Sequence, residues 1–157
     1  MYSSLDDDRF PKRKSTRLHD FDYHQPNYYF VTICTDNKRC MFGEAGHPNQ
    51  LGKLAAQTLE EIPTHFPGVR VDKYVVMPNH IHAILVFSGQ DVALTTVIGL
   101  YKSAVSKQAH KDNPGCKIWQ SSFHDHIIRN QQGYEQIWLY IDSNPQNWGK
   151  DCFFEPV

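Results

Sequence analysis

The feature that most constrains this chain is Val75-Val76-Met77-Pro78-Asn79-His80-Ile81-His82-Ala83-Ile84-Leu85-Val86-Phe87. Two apolar runs flank Pro78-Asn79, and runs this rich in Val and Ile, bounded by turn residues, form buried strands. Proline pre-sets φ and lacks a donor, and asparagine tolerates turn geometry, so the pair predicts a hairpin turn. The second strand then opens with His-Ile-His. Strand side chains alternate between faces, which puts His80 and His82 on one face and Ile81 on the other. Two readings are open here. The pair can be ordinary, partly exposed histidines near a strand end, or two ligands to a metal, for which neutral imidazole is a common donor.

At 157 residues the chain is long enough for one domain with a substantial core, and 40% hydrophobic content with 13% aromatics fits a folded protein. No apolar run approaches the roughly 20 residues of a membrane helix. The opening Met1-Tyr2-Ser3-Ser4-Leu5-Asp6-Asp7-Asp8 lacks an apolar signal core, and Cys34, Cys40, Cys116 and Cys152 show no Cys-x-x-Cys spacing. A cytoplasmic chain without zinc knuckle, disulfide framework or membrane partner is expected. The net charge of −1 excludes a general positive coat but not a local basic track. Arg9, Lys12, Arg13, Lys14 and Arg17 form such a track, a candidate phosphate-binding arm or simply a solvated leader.

In order, residues 1–27 read as an arm closed by a turn at Gln25-Pro26-Asn27, followed by a strand over 28–35. A helical stripe of Leu51, Leu54, Ala55, Thr58, Leu59 and Ile62 predicts a helix over 51–65, kinked at Pro63 and ended by Pro67-Gly68. Val69 to Met77 and the His-Ile-His run are the next two strands. A helix over 94–110 carries Leu94, Val97, Ile98, Tyr101, Val105 and Gln108 along one side, with Lys102 and Lys107 on other faces. Phe123 to Arg129 supplies a fourth strand. A last helix from Gln131 to Ser143 faces the core with Tyr134, Ile137, Trp138 and Ile141.

This β-α-β-β-α-β-α order predicts an α+β fold. Its core is a ferredoxin-like, RRM-like antiparallel sheet with helices on one face, plus a C-terminal helix. The domain would span 28–150, with 151–157 as a tail. Tyr140 and Asn144 lie one turn apart on the flank of the last helix. Asn144 precedes Pro145, which disfavours helical geometry at 144 and ends the helix there. A tyrosine at the edge of an apolar stripe is ordinarily a boundary residue.

His80-Ile81-His82 behind Met77-Pro78-Asn79, joined with Tyr140-Ile141-Asp142-Ser143-Asn144-Pro145, resembles the single-tyrosine HUH transposases of the IS200-like superfamily. The likeness is to their REP-associated tyrosine transposase branch in particular. Tyr29-Phe30-Val31-Thr32-Ile33-Cys34-Thr35, Phe42-Gly43-Glu44, Tyr101-Lys102-Ser103-Ala104-Val105 and His126-Ile127-Ile128-Arg129-Asn130 extend it across nearly the whole chain.

The resemblance implies His80, His82 and Asn144 as ligands to a divalent metal, Mg²⁺ or Mn²⁺, and Tyr140 as the nucleophile. It implies a single-stranded DNA endonuclease and strand transferase working through a 5′-phosphotyrosine, acting on hairpin-forming repeat ends, with a monomer favoured over a dimer. Asp125 and His126, in the second His-x-His run His124-Asp125-His126, are expected to support the site. Lys102 is a candidate phosphate contact. Two other classes compete. A non-catalytic ferredoxin-like nucleic-acid-binding module would need only sheet aromatics. A metallohydrolase would use the histidines without any covalent intermediate.

Overall fold

A computed structural model describes residues 26–88 and 92–150. The basic arm with Lys12, Arg13, Lys14 and Arg17, and the tail at 151–157, lie outside the described residues. Strand β1 (Pro26–Cys34) is followed by two short strands, β2 (Gly43–Glu44) and β3 (His47–Pro48), which pair with each other. Helices α1 (Gln50–Glu60) and α2 (Ile62–His65) lead to β4 (Val69–Met77) and β5 (His80–Ser88). Then come α3 (Leu94–Ala109), β6 (His124–Ile128) and α4 (Gln131–Ser143). The main sheet runs β4-β5-β1-β6, antiparallel throughout, with β1 and β5 in the centre. This is the ferredoxin-like arrangement expected.

Both sheet faces are covered, by different helices. Tyr29, Val31 and Ile33 of β1 and Ile81, Ala83, Leu85 and Phe87 of β5 share a core with α1 and α3. The intervening residues Phe30, Ile84 and Val86 pack with Ile128 and with Ile137 and Ile141 of α4. Strand β5 is therefore buried on both faces, which explains an apolar run without alternation. The histidines fall on the α4 face, in phase with Ile84 and Val86.

Several expected boundaries move. Pro26 is in β1, paired with Ser88, instead of in a turn; the first residue of a strand tolerates proline because its missing donor can be spared there. The helix expected over 51–65 divides at Glu61. Pro63 sits in the first turn of α2, where its absent N–H costs nothing. Asn49 starts α1 by accepting a hydrogen bond from the Gly52 amide at 2.9 Å. Gln108 is exposed, and its neighbour Ala109 takes the position that packs against the core.

Strand β4 carries an irregularity with structural consequences. Val71 pairs with Leu85 but Lys73 pairs with Ile84, so Asp72 is an extra residue. Before the bulge Arg70, opposite Val86, faces α4; after it Lys73, opposite Ile84, also faces α4. Asp72 and Lys73 both reach that helix, which neighbours on a regular strand could not do.

Candidate active site

The β4–β5 hairpin turn is braced from outside. The Asn79 carbonyl accepts from the Thr35 amide at 3.0 Å, and the Pro78 carbonyl accepts from the Phe42 amide at 3.0 Å. His80 and His82 follow at once, 0% and 1% exposed. The reading as partly exposed histidines is thereby overturned: α4 and the turn after it cover this end of the strand.

The hydrogen bonds around the pair specify its protonation. Asn79 Nδ2 donates to the Lys38 carbonyl at 3.2 Å, which orients the amide and turns Oδ1 toward His80. That oxygen lies 2.8 Å from His80 Nδ1 and can only accept. His80 therefore carries its proton on Nδ1, and as a neutral ring presents a bare lone pair at Nε2. His82 Nδ1 lies 2.9 Å from the Thr32 hydroxyl, which can donate or accept, so His82 can hold its proton on either nitrogen. The two Nε2 atoms face each other at 3.1 Å.

Helix α4 starts at Asn130, whose side chain accepts from the Gly133 amide at 2.7 Å. Ile137 and Ile141 bury it against the sheet, and the β4 bulge fastens its flank. Tyr134 donates its hydroxyl to Asp72. Lys73 pairs with Asp142 at 2.8 Å and sits 3.9 Å above the Trp138 ring. The Asp72 hydrogen bond, with burial adding to it, pushes the Tyr134 phenol up to about 12. Held this way, Tyr140 stacks at a tilt on His82, with ring centres 5.2 Å apart, and edge-on to Phe30 at 6.3 Å. Its hydroxyl lies 3.4 Å from His82 Nε2.

Asn144 caps the C-terminal end of α4 with right-handed helical angles, φ −59 and ψ −43, and the chain continues as a 3-10 turn through 150. The expected non-helical geometry before Pro145 is corrected. Pro145 opens the next turn, where no amide donor is needed. Asn144 is 1% exposed, and its Oδ1 has no hydrogen-bond partner. In the chain it lies between Tyr140, which touches His82, and Trp148, whose ring centre is 6.2 Å from that of His80.

A buried amide oxygen left without a donor costs about 1–3 kcal/mol. It is readily explained as one corner of a cation site. Two imidazole Nε2 atoms and this oxygen are a donor set that a divalent metal fits. Among the described residues no cluster of three His, Cys, Asp or Glu side chains is placed to hold a metal.

The second His-x-His run is split by the sheet. His126 pairs with Phe30 and His124 with Thr32, so both stand on the α4 face. Asp125 pairs with Val31 and points to the α1–α3 face. Asp125 and His126, expected together to support the site, are thereby divided between the two faces, with only His126 on that of the histidines. Lys102 lies on α3, across the sheet from the histidines. Its ammonium donates to the carbonyls of Gln120 at 2.8 Å and Ser122 at 3.0 Å. Thr32, Asn79 and Trp148 were not singled out from the sequence. Asn79 had one available signal, its place against the pair, which turn chemistry alone accounted for.

An imidazole pair on a central strand, faced by a tyrosine on a helix across an antiparallel ferredoxin-like sheet, defines the class of protein. The family model of IS200-like transposases matches residues 22–144, and the chain belongs to that family. An uncharacterized protein of Haemophilus influenzae is 33% identical over 167 residues, covering 90% of this chain and 93% of its own. Among solved structures, a REP-associated tyrosine transposase bound to a REP hairpin is similar at TM-score 0.60 and 20% identity. That similarity covers 85% of this chain and 75% of the other. A candidate transposase of Deinococcus radiodurans is similar at TM-score 0.56 and 16% identity, covering 82% of this chain and 96% of its own. At these identities the two structures speak for the fold.

Proposed function

We propose that the protein is a metal-dependent single-stranded DNA endonuclease and strand transferase that cuts through a 5′-phosphotyrosine at Tyr140. One observation carries the reading: the Tyr140 hydroxyl lies 3.4 Å from a histidine of a buried pair, one helical turn before a buried amide oxygen without a donor. His80, His82 and Asn144 would hold Mg²⁺ or Mn²⁺, the mixed nitrogen and oxygen donors suiting Mn²⁺ at least as well. When bound, such a cation supplies Lewis-acid polarisation of a phosphodiester oxygen.

The chain's own residues do the rest. Asn79 keeps the His80 Nε2 lone pair available, and Thr32 lets His82 move its proton to Nδ1. Packing on Phe30 and His82 aims Tyr140, whose oxygen attacks phosphorus and releases a 3′-hydroxyl. The new aryl phosphodiester retains the energy of the broken bond, so another 3′-hydroxyl can reverse the step and join strands. The Tyr140 hydroxyl and the histidine pair meet within one domain, and the reading takes a monomer acting through residues 28–150. The solved relative bound to a REP hairpin makes a folded single strand the first substrate to try.

The test uses the full chain with a labelled single-stranded hairpin and Mg²⁺ or Mn²⁺. A covalent protein–DNA adduct that survives denaturation is expected from wild type and lost in Tyr140→Phe. Cleavage without an adduct would point to direct hydrolysis and end this reading.

A further inference from the structure

Asn144 is supported from both directions along the chain. On its N-terminal side, Tyr134, Ile137, Ile141 and Asp142 fasten α4 to the sheet. On its C-terminal side, the 3-10 turn Asn144–Lys150 reaches the histidines through the half-buried ring of Trp148. We propose that Trp148 is a positioning residue for the candidate metal site. Its stack on His80 fixes the turn after α4 and thereby holds the Asn144 oxygen ready for the cation that the histidine pair binds. The inference rests on the metal-dependent reading above and adds to it a residue that acts through Asn144.

Four rings run in series through the site. Between ring centres, Trp148 lies 6.2 Å from His80, His80 lies 4.5 Å from His82, and His82 lies 5.2 Å from Tyr140. All three spacings suit favourable ring pairs. Trp148 and His80 are the closest of the three to parallel, at 31°. The two outer rings belong to one continuous segment, and Asn144 stands at its midpoint, four residues from each. Each histidine thus has an aromatic partner from the same helix-and-turn unit.

The segment between the outer rings carries its own bracing. Ser143 Oγ donates to the Leu139 carbonyl at 2.9 Å, and Asn147 Nδ2 donates to the Ser143 carbonyl at 3.1 Å. Pro145 fixes one φ within it and faces the β2–β3 loop, where a Cβ added at Gly46 would meet Pro145 Cβ at 3.9 Å. A braced segment held at one end can still pivot about that end, whereas one held at both cannot. Contact at Tyr140 alone would let Asn144 swing with the turn, and the Trp148 stack removes that freedom. The restraint matters most for a donor of this type. A neutral amide lacks a carboxylate's charge attraction to the cation, so its contribution depends on being held in place.

The test is a double-mutant cycle on metal affinity, with neither DNA nor cleavage. Mn²⁺ binding to the full-length chain is measured by calorimetry in wild type, Trp148→Ala, Asn144→Ala and the double variant. Trp148→Ala should weaken binding about tenfold. Trp148→Phe, which keeps a ring on His80, should restore most of the loss. In the Asn144→Ala background the same Trp148→Ala change should cost less than about twofold, because the residue through which it acts is gone. Should Trp148→Ala fail to fold, Trp148→Leu, apolar but without a ring face, takes its place in the cycle with the same expectation. Equal losses in both backgrounds, or wild-type affinity without the ring, would overturn the proposal. Wild type that binds no Mn²⁺ would remove the metal-dependent reading itself, whereas bound Mn²⁺ with an additive cycle removes the role of Trp148 alone.

Discussion

His80 meets its surroundings with one ring nitrogen already committed. Asn79 takes the Nδ1 proton, and Asn79 is itself oriented by the Lys38 carbonyl, so a three-member chain selects the tautomer. Partners of this kind usually change metal affinity by 10–100-fold when removed. Asn79→Ala should weaken Mn²⁺ binding by that order in calorimetry. It should also destabilise the fold by about 1–3 kcal/mol, because the Lys38 carbonyl and His80 lose a buried partner. Asn79→Asp, which still accepts from His80, should recover most of the affinity; equal loss in both variants would refute the tautomer argument. Asn144→Ala tests the remaining donor. It should reduce Mn²⁺ affinity with a smaller loss of stability than Asn79→Ala, since its oxygen has no hydrogen bond to lose.

Helix α4 was legible as a helix because its apolar residues recur at helical spacing, and the same period put Tyr140 and Asn144 on one flank. What holds it at the right depth was not legible. The bulge that brings Asp72 and Lys73 to the same helix inserts one residue into a strand whose sequence looks like ordinary alternation. Lys73→Ala removes the Asp142 ion pair and the ring contact. Exposed pairs contribute little, so stability should fall by no more than about 1–2 kcal/mol. Adduct formation should slow more than that implies, with Mn²⁺ affinity unchanged, because Tyr140 loses its aim. The Tyr134–Asp72 contact gives a pH signature. With the folded pKa raised to about 12, the phenol is neutral in folded and unfolded chains below pH 10, and its contribution is complete. That contribution is lost as pH rises from about 10 through 12. Denaturant stability should decline in this window, and Tyr134→Phe should flatten the slope in part, since Tyr74 and Tyr101, both raised first by burial, supply the rest.

Across the whole molecule, the candidate site is where a strand buried on both sides meets a helix that packs on the second face of the sheet. A cation bound there would report on that assembly. At about 100 times its dissociation constant, Mn²⁺ should stabilise the folded chain by about 2.7 kcal/mol. For a chain this size that raises Tm by about 5–10 °C in a thermal melt. A chelator should reverse the rise and His82→Ala should abolish it; a Tm indifferent to Mn²⁺ in wild type would remove the metal.

Periodicity and turn chemistry determined the element order, the ferredoxin-like topology, the common face of His80 and His82, and the common flank of Tyr140 and Asn144. The shared face and the shared flank are properties within one element, where covalent geometry dictates which residues share a side. The tertiary structure decided how the elements meet. It put Tyr140 against His82, buried the Asn144 oxygen, sent Asp125 through to the opposite face and tied Lys102 to the loop before β6. A strand's period states which residues travel together but not which side of the finished sheet they occupy, and that choice is made by packing.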